Sequence, residues 1–498
     1  MSLKQFFAKQ LAKYAVYKSK QWSKKPVQTQ EKVLANLISS AQKTVFGQDH
    51  DFDSIQTYED FKSRVPIRDY EGFRYYIDLT IRGEESVLWP GRPLYFAKTS
   101  GTTSGAKYIP LTTDSMAFQI SSAKDALLHY IYRSGNVDFV DGKMIFLQGS
   151  PILNQSEIIP SGRLSGIVAN YVPAYLQRNR LPSYAINCIE DWGEKLGGIV
   201  QETLNEDMRL ISGIPSWVHM YFEKLQQESG VSISELFPKF SLFVYGGVNY
   251  EPYRAKFESM IGKHIDSIEL YPASEGFIAF QDNYKEKGLL LLLDSGIFYE
   301  FINADEFHDP EPKRIFLNEV QLGVNYVLIL NTNAGLWGYN IGDLVQFTSL
   351  DPFRIIVSGR IKHFTSAFGE HVIAKEVEES MHRAQQTCPE TLAVEFTVAP
   401  QTEPIEGLPH HEWFIEFSQA PNNILYFSEV LDLALQDQNS YYKDLRAGKV
   451  LKCLDIVSLK KGAFHNYMKS QGRLGGQNKI PRLANDRIIA NILSDMKE

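Results

Sequence analysis

The chain has 498 residues, 44% hydrophobic and 12% aromatic, which is more than one hydrophobic core usually serves and too apolar for a disordered protein. Its net charge of −8, from 51 basic and 59 acidic residues, argues against generic nucleic-acid binding, which needs a broad basic face. Three widely spaced cysteines (Cys188, Cys388 and Cys453) form no CxxC pair, which argues against a disulfide framework or thiolate zinc site and points to a reducing cytosol.

The chain opens on MSLKQFFAKQLAKYAVYKSKQWSKK, basic and amphipathic, without the uninterrupted apolar core or small-residue cleavage site of a secretory signal. It reads as an ordinary first helix. The first ninety residues are helical in pattern, with apolar spacing through VLANLISSAQKTVFG and an expected stop at Gly47. A short strand, LYFA, leads into a Ser/Thr/Gly run, and then TTDSMAFQISSAKDALLHYIY gives a helix capped by Thr113 or Asp114. Strands and helices alternate next: KMIFLQGS before a helix near 185–208, FSLFVYGG before PYRAKFESMIG, then IDSIELYPASEG and a turn. Such alternation implies an α/β sheet with parallel strands.

From about 288 to 358, closely spaced strands (LLLLLDSGIFYEFI, RIFLNEV, NYVLILNT, LVQFTSL, FRIIVSG) predict a β-rich subdomain. Its apolar run GLLLLLDSGIF is broken by Asp294, far short of a membrane span. Beyond it, HVIAKEVEESMHRA, LAVEFTVAP, EWFIEFSQ and ILYFSEVLDLALQDQ predict an αββα layout, hence a small α+β domain. The expected division is 1–358 and 359–498, with the boundary in SGRIKHF. The fold class is therefore α/β: a large N-terminal domain carrying a β-rich subdomain, and a small C-terminal domain on a hinge.

Six stretches could carry chemistry. In TSGTTSGAK, residues 99–107, glycines let backbone N–H groups converge on an anion while hydroxyls and a lysine add donors and charge. Its glycine–lysine spacing fails the Walker pattern, and no Ser or Thr follows the lysine; the alternative is a surface linker. Its setting between a strand and a helix is where phosphate cradles tend to sit. In VYGGVNYEPY, paired glycines after a strand allow either a tight turn or close approach to a flat ligand. ELYPASEG places Tyr, Ser and a carboxylate at the carboxyl end of a strand, where open α/β sheets bind ligands. Glu275 there is either a helix-start carboxylate or a magnesium ligand. In GLWGYNIGDLVQF, Asp343 either anchors a turn or holds two ribose hydroxyls. SGRIKHFTSAFGEHVIAKEVEE holds the boundary, and GGQNKIPRL holds Lys479, by default a solvated surface lysine.

Taken in order, these motifs resemble the adenylate-forming superfamily of acyl-CoA synthetases, luciferases and peptide-synthetase adenylation domains. The narrower likeness is to the plant and bacterial acyl-acid amido synthetases (the Gretchen Hagen type), which conjugate auxin and jasmonate to amino acids. FDSIQTYEDFKSRVPIRDYEGFRYYI, TSGTTSGAKYIPLT, ISGIPSWVHMYFEKL and QNKIPRL carry it, in family order from about residue 45 to the end. One spacing departs: only Ala106 separates Gly105 from Lys107, where the plant enzymes usually have two residues, whereas the Gly101-to-Lys107 distance fits the wider superfamily.

The resemblance implies a cytoplasmic ligase that uses ATP and Mg2+ to adenylate a carboxylic acid and then transfers the acyl group to an amino-acid amine. Two alternatives are an acyl-CoA ligase and a non-catalytic nucleotide-binding relative. Matched by motif, Ser100, Gly101, Thr102, Thr103 and Lys107 would hold the triphosphate; Gly246, Gly247 and Val248 would pack on adenine, with Tyr271 close by. Ser274 would bind phosphate, Glu275 magnesium, and Asp343 with Arg360 the ribose. Lys479 would be the mobile catalytic lysine, and Lys362 or His363 the hinge. Tyr171 and Trp217 are acyl-pocket candidates against a default of core packing. The expected partners are the acid and the amine, with no nucleic acid and no membrane; the sequence leaves the oligomeric state open, with a monomer favoured.

Overall fold

A computed structural model describes residues 2–102, 105–155, 157–171, 178–247, 250–307, 309–360, 364–365, 367–370, 372–471, 480–484 and 486–498. Within them a single twelve-stranded sheet runs through the larger part of the molecule. Five of its strands are parallel: Asp266–Ala273, Leu242–Gly246, Met208–Ser212, Lys143–Phe146 and Arg180–Leu181, in that spatial order. They read as apolar runs because helices such as Pro215–Ser229 and Glu251–Ile261 link them and cover the sheet. From Gly276–Phe280 onward every pairing is antiparallel.

The expected β-rich subdomain is thus not a separate sheet. Leu289–Leu291 pairs with Gly276–Phe280 on one side and with Phe353–Arg360 on the other, so the two regions share one hydrogen-bonded surface. A small separate sheet is made by Tyr95–Thr102, Gly105–Leu111 and Ser161–Gly162.

The first helix, Leu3–Ser23, is present as expected and is closed by a capping box at Ser2. Gly47 does not stop a helix. Pro26–Ala41 has already ended, and Gly47 lies inside the short helix Val45–Asp49, where an added Cβ would come 2.1 Å from the Ala41 carbonyl oxygen. The long helix Thr113–Ser134 is capped by Thr112, not by Thr113 or Asp114, through a reciprocal pair with Ser115. Among the described residues no helix is long and apolar enough to cross a membrane.

The C-terminal part has the α+β character read from the sequence. Leu392–Gln401 and His410–Gln419 pair antiparallel, Asp455–Leu459 adds a parallel strand, and the helices Ala374–Thr387 and Ile424–Gln438 pack together. Its apolar side chains are divided: Phe414, Leu459, Phe464 and Leu493 form a cluster of their own, while others join the larger part. Trp413, Val398 and Leu431 belong to one cluster with Trp192, Ile211 and Phe243 from the larger part.

Candidate functional site

The Ser/Thr/Gly run is the end of a hairpin, not a link from strand to helix. Antiparallel pairing holds from Tyr95↔Leu111 to Thr99↔Lys107, breaks, and resumes at Thr102↔Gly105. The helix Thr113–Ser134 begins only after the returning strand, so its N-terminus is a strand length from the tip. An anion at the tip would therefore rely on the loop's own N–H groups and on Lys107, without the helix dipole. Lys107 is half-buried, with its amine 5.9 Å from the centre of the Tyr70 ring. The Tyr70 hydroxyl accepts from the Tyr108 N–H at 2.9 Å, which braces the lysine's strand. Burial raises the pKa of the Tyr70 phenol and keeps it neutral.

The two glycines at 246 and 247 are required for different reasons. Gly246 pairs with Leu270, and a Cβ there would come 2.4 Å from the Leu270 carbonyl oxygen. Gly247 has open space around it but a φ of +77°, which side chains disfavour. The backbone therefore turns sharply at the carboxyl end of a parallel strand, as a ligand edge requires.

One residue beyond Leu270, the Tyr271 hydroxyl donates to Oδ2 of Asp343. Asp343 is buried on the strand Tyr339–Leu350, opposite Arg360. Between the pairs Ile329↔Asn340 and Val327↔Leu344 this strand carries two residues more than its partner, a bulge that re-aims the carboxylate. Gly342, at φ +90°, makes that bulge possible. Asp343 is thus a strand-bulge carboxylate aimed at Tyr271, and the simple turn-anchor reading falls away.

Ser274 and Glu275 form the two-residue turn between Asp266–Ala273 and Gly276–Phe280, closed by the pair Ala273↔Gly276. Glu275 therefore caps no helix. Gln119, from the long helix, donates to the Ala273 carbonyl at 2.8 Å and fixes the turn. Glu275 is buried beside Tyr339, whose phenol pKa lies far above its usual range, chiefly through burial and then through the Glu275 charge. Tyr339 lies four residues before Asp343 on one strand, so both carboxylates share a scaffold.

The structure thus brings together Gly246, Gly247, Tyr271, Ser274, Glu275, Asp343 and the backbone of Arg360. Lys107 lies beside Tyr70, which is near Tyr339. Thr103, Val248, Lys362, His363 and Lys479 lie outside the described residues, as do the side chains of Ser100, Thr102 and Arg360. The two acyl-pocket candidates go to different cores. Tyr171 packs on the first, its hydroxyl donating to that of Tyr95 at 3.1 Å. Trp217 packs in the second against Trp192, ring centres 4.5 Å apart.

Sequence reasoning missed Tyr339, Gln119 and a polar seam. Tyr339 lies inside a stretch singled out for Asp343, but its closeness to Glu275 is long-range and leaves no local signal. At the seam, Arg163 pairs with Asp444 and lies 4.4 Å from the Tyr441 ring centre, while the Tyr441 hydroxyl donates to the Lys98 carbonyl at 3.3 Å. The helix Ser440–Ala447 is thereby docked on the hairpin strand. Nearby, the buried Lys195 donates to the carbonyls of Gln148 at 3.0 Å and Asn187 at 2.8 Å. Burial first, and then the Arg163 charge, lower its pKa to about 8.

Fold and cluster together define an α/β protein with its polar groups gathered at the carboxyl end of a parallel sheet. Models of the GH3 family N-terminal, central and C-terminal domains match residues 16–170, 290–360 and 375–488. The chain belongs to the GH3 family. It is similar to the indole-3-acetic acid-amido synthetase GH3.4 of Arabidopsis thaliana, 21% identical over 95% of this chain and 91% of that one. It is also similar to the jasmonoyl–L-amino acid synthetase JAR4 of Nicotiana attenuata, 23% identical over 91% and 90%. Among solved structures, the acyl acid amido synthetase AtGH3.15 superposes with a TM-score of 0.62 at 17% identity, covering 98% of this chain and 96% of that one. A 2-hydroxyisobutyryl-CoA ligase superposes at 0.59 and 13% identity over 94% and 92%, so the two share a fold.

Proposed function

We propose that this protein is an ATP-dependent acyl-acid amido synthetase. The observation that carries the reading is the joint placement of Asp343, Tyr271 and the Ser274–Glu275 turn beside the glycine pair, within a GH3 chain. The first step joins a carboxylate oxygen of the acid to the α-phosphorus of ATP while the bond to the β-phosphate breaks and pyrophosphate leaves. In the second, the amine nitrogen attacks the acyl carbon, the bond to AMP breaks, and the amine gives up a proton. AMP turns a poor electrophile into one with a good leaving group.

The residues fit these demands. Asp343 offers a buried carboxylate to the two ribose hydroxyls, with Tyr271 holding its orientation. The Gly246–Gly247 turn, with open space beside Gly247, would let adenine approach the backbone. Lys107 and the hairpin tip would bind the triphosphate, and Ser274 would add a hydroxyl donor. Glu275 is a single buried carboxylate, and among the described residues no cluster of three or more metal-ligating side chains stands ready. That suits Mg2+, which is held by one or two carboxylates together with substrate phosphates. Such an ion would neutralise charge on the phosphates. Lys479 would reach the reacting carboxylate, and the small domain, 359–498, would turn about Lys362 or His363 between the steps. The seam at Arg163, Tyr441 and Asp444 would set one of its docked positions.

Acid-dependent exchange of pyrophosphate into ATP tests the first step. Its absence across a broad panel of carboxylic acids would leave a nucleotide-binding relative without the chemistry.

A further inference from the structure

The helix Leu3–Ser23 is amphipathic the wrong way round for a helix whose only task is to close a core. Its buried residues are small (Ala12, Ala15 and Val16), and they pack on the helix Thr113–Ser134. Apart from Trp22, which packs on the core, its large apolar residues, Leu3, Phe6, Phe7, Leu11, Tyr14 and Tyr17, are 44–74% exposed. At 100° per residue, Leu3, Phe7, Tyr14 and Tyr17 fall on one stripe opposite the packed alanines, interrupted by Gln10 and Gln21.

The helix is held firmly while it shows this stripe. Ser2 donates to Asp141 at 2.8 Å, and Ser19 lies 2.9 Å from His129 Nε2. Its charge is one-sided: Lys4, Lys9, Lys13, Lys18 and Lys20 and no acidic residue, in a chain of net charge −8. By the same spacing, Lys9, Lys13 and Lys20 border one flank of the stripe, and Lys4 and Lys18 the other. The surface continues onto exposed Tyr132, with the Lys20 amine 5.9 Å from its ring centre.

We propose that this face docks the protein on anionic lipid membranes, its apolar stripe lying in the headgroup boundary and its flanking lysines reaching lipid phosphates. Lysines bordering an apolar stripe suit an interfacial helix, because their stems lie along the apolar zone while their amines stay in water. A second protein copy would bring the same lysines against themselves.

The test is co-sedimentation of the full chain with vesicles of mixed phosphatidylserine and phosphatidylcholine, and with phosphatidylcholine alone. The expected result is binding to the mixed vesicles only, released by added salt, with the partition coefficient at least about tenfold lower for Phe7→Glu/Tyr14→Glu. A Phe7→Trp variant should shift its emission to the blue on adding mixed vesicles. Both variants alter exposed side chains, so an unchanged melting temperature shows that the fold is intact, whatever the outcome for the proposed reaction. No binding by the unaltered chain, or equal binding by the double variant, overturns the proposal. So does a concentration-dependent dimer, seen by sedimentation equilibrium, that the double variant abolishes.

Discussion

The Tyr271 hydroxyl donates to the buried carboxylate of Asp343 from a strand 72 residues earlier in the chain. That contact adds a side-chain link, at the proposed ribose position, between two halves of the sheet already joined by the ladder of Asp266–Ala273 with Gly276–Phe280. Hydrogen bonds to charged groups contribute about 1.5–3 kcal/mol. Tyr271→Phe is therefore expected to weaken ATP binding about tenfold, and Asp343→Ala about 10- to 100-fold. Titration calorimetry with ATP checks both. Equal affinity in Asp343→Ala would remove the ribose assignment.

Gly246 has no room for a side chain, since the clash is with the backbone oxygen of Leu270. Gly246→Ala should destabilise the fold by about 1–3 kcal/mol, as overpacking does, and should also disturb the adenine edge. Urea unfolding measures the first effect and ATP affinity the second.

Gly448 fills the same role at the seam between the two parts of the chain. A Cβ there would come 2.4 Å from the Cβ and Cδ1 atoms of Trp192, which the helix Trp192–Thr203 holds in the second core. Gly448→Ala should loosen docking of the helix Ser440–Ala447. Faster amide hydrogen exchange in that helix, with unchanged exchange in the strand Tyr339–Leu350, is the expected pattern.

Lys195 makes stability depend on pH in a defined window. Its pKa of about 8 lies below the ordinary lysine value of 10.5, so between these pH values the unfolded chain binds the extra proton. Stability should therefore rise as pH increases from about 8 to 10, by about 2 kcal/mol, and the penalty should be constant below about pH 8. Above that window, buried tyrosines such as Tyr221 and Tyr299 work the other way, because burial keeps their phenols neutral beyond the ordinary range. Urea midpoints across this range test the sign. Lys195→Met should show no rise.

The parts of this fold legible in the sequence were those with local causes. The parallel strands read correctly because apolar runs such as FSLFVYGG end in glycine turns, and the αββα order of the C-terminal part followed from its periodicity. Gly47 misled because its glycine answers a close approach of Ala41, not a helix end. The hairpin was hidden because Pro110 argues against a strand in GAKYIPL, which runs on directly from the Ser/Thr/Gly loop. The cap was misplaced by one residue where Thr112, Thr113 and Asp114 all offer capping oxygens. At the site, Glu275 and Asp343 were visible as motif carboxylates, but the groups placed around Glu275 and its turn, Tyr339 and Gln119, are set by tertiary contact. The shared cluster that joins Trp413 to Trp192 is likewise a long-range fact that no window of sequence contains.

Removing the catalytic lysine proposed from the carboxyl-terminal motif should separate binding from chemistry. Lys479→Ala is expected to slow adenylation by on the order of a hundredfold or more, as for loss of one key charge stabiliser, with ATP affinity little changed. Stopped-time assays of pyrophosphate release measure it. Near-unaltered adenylation would place the lysine elsewhere.

The most direct test is the product itself. The protein is incubated with ATP, magnesium, a panel of carboxylic acids and equimolar amino acids and coenzyme A, and the acyl products are read by mass spectrometry. The expected result is an N-acyl amino acid formed in step with AMP, with little thioester. A coenzyme A thioester without amide would contradict the account and make the protein an acyl-CoA ligase on the same fold.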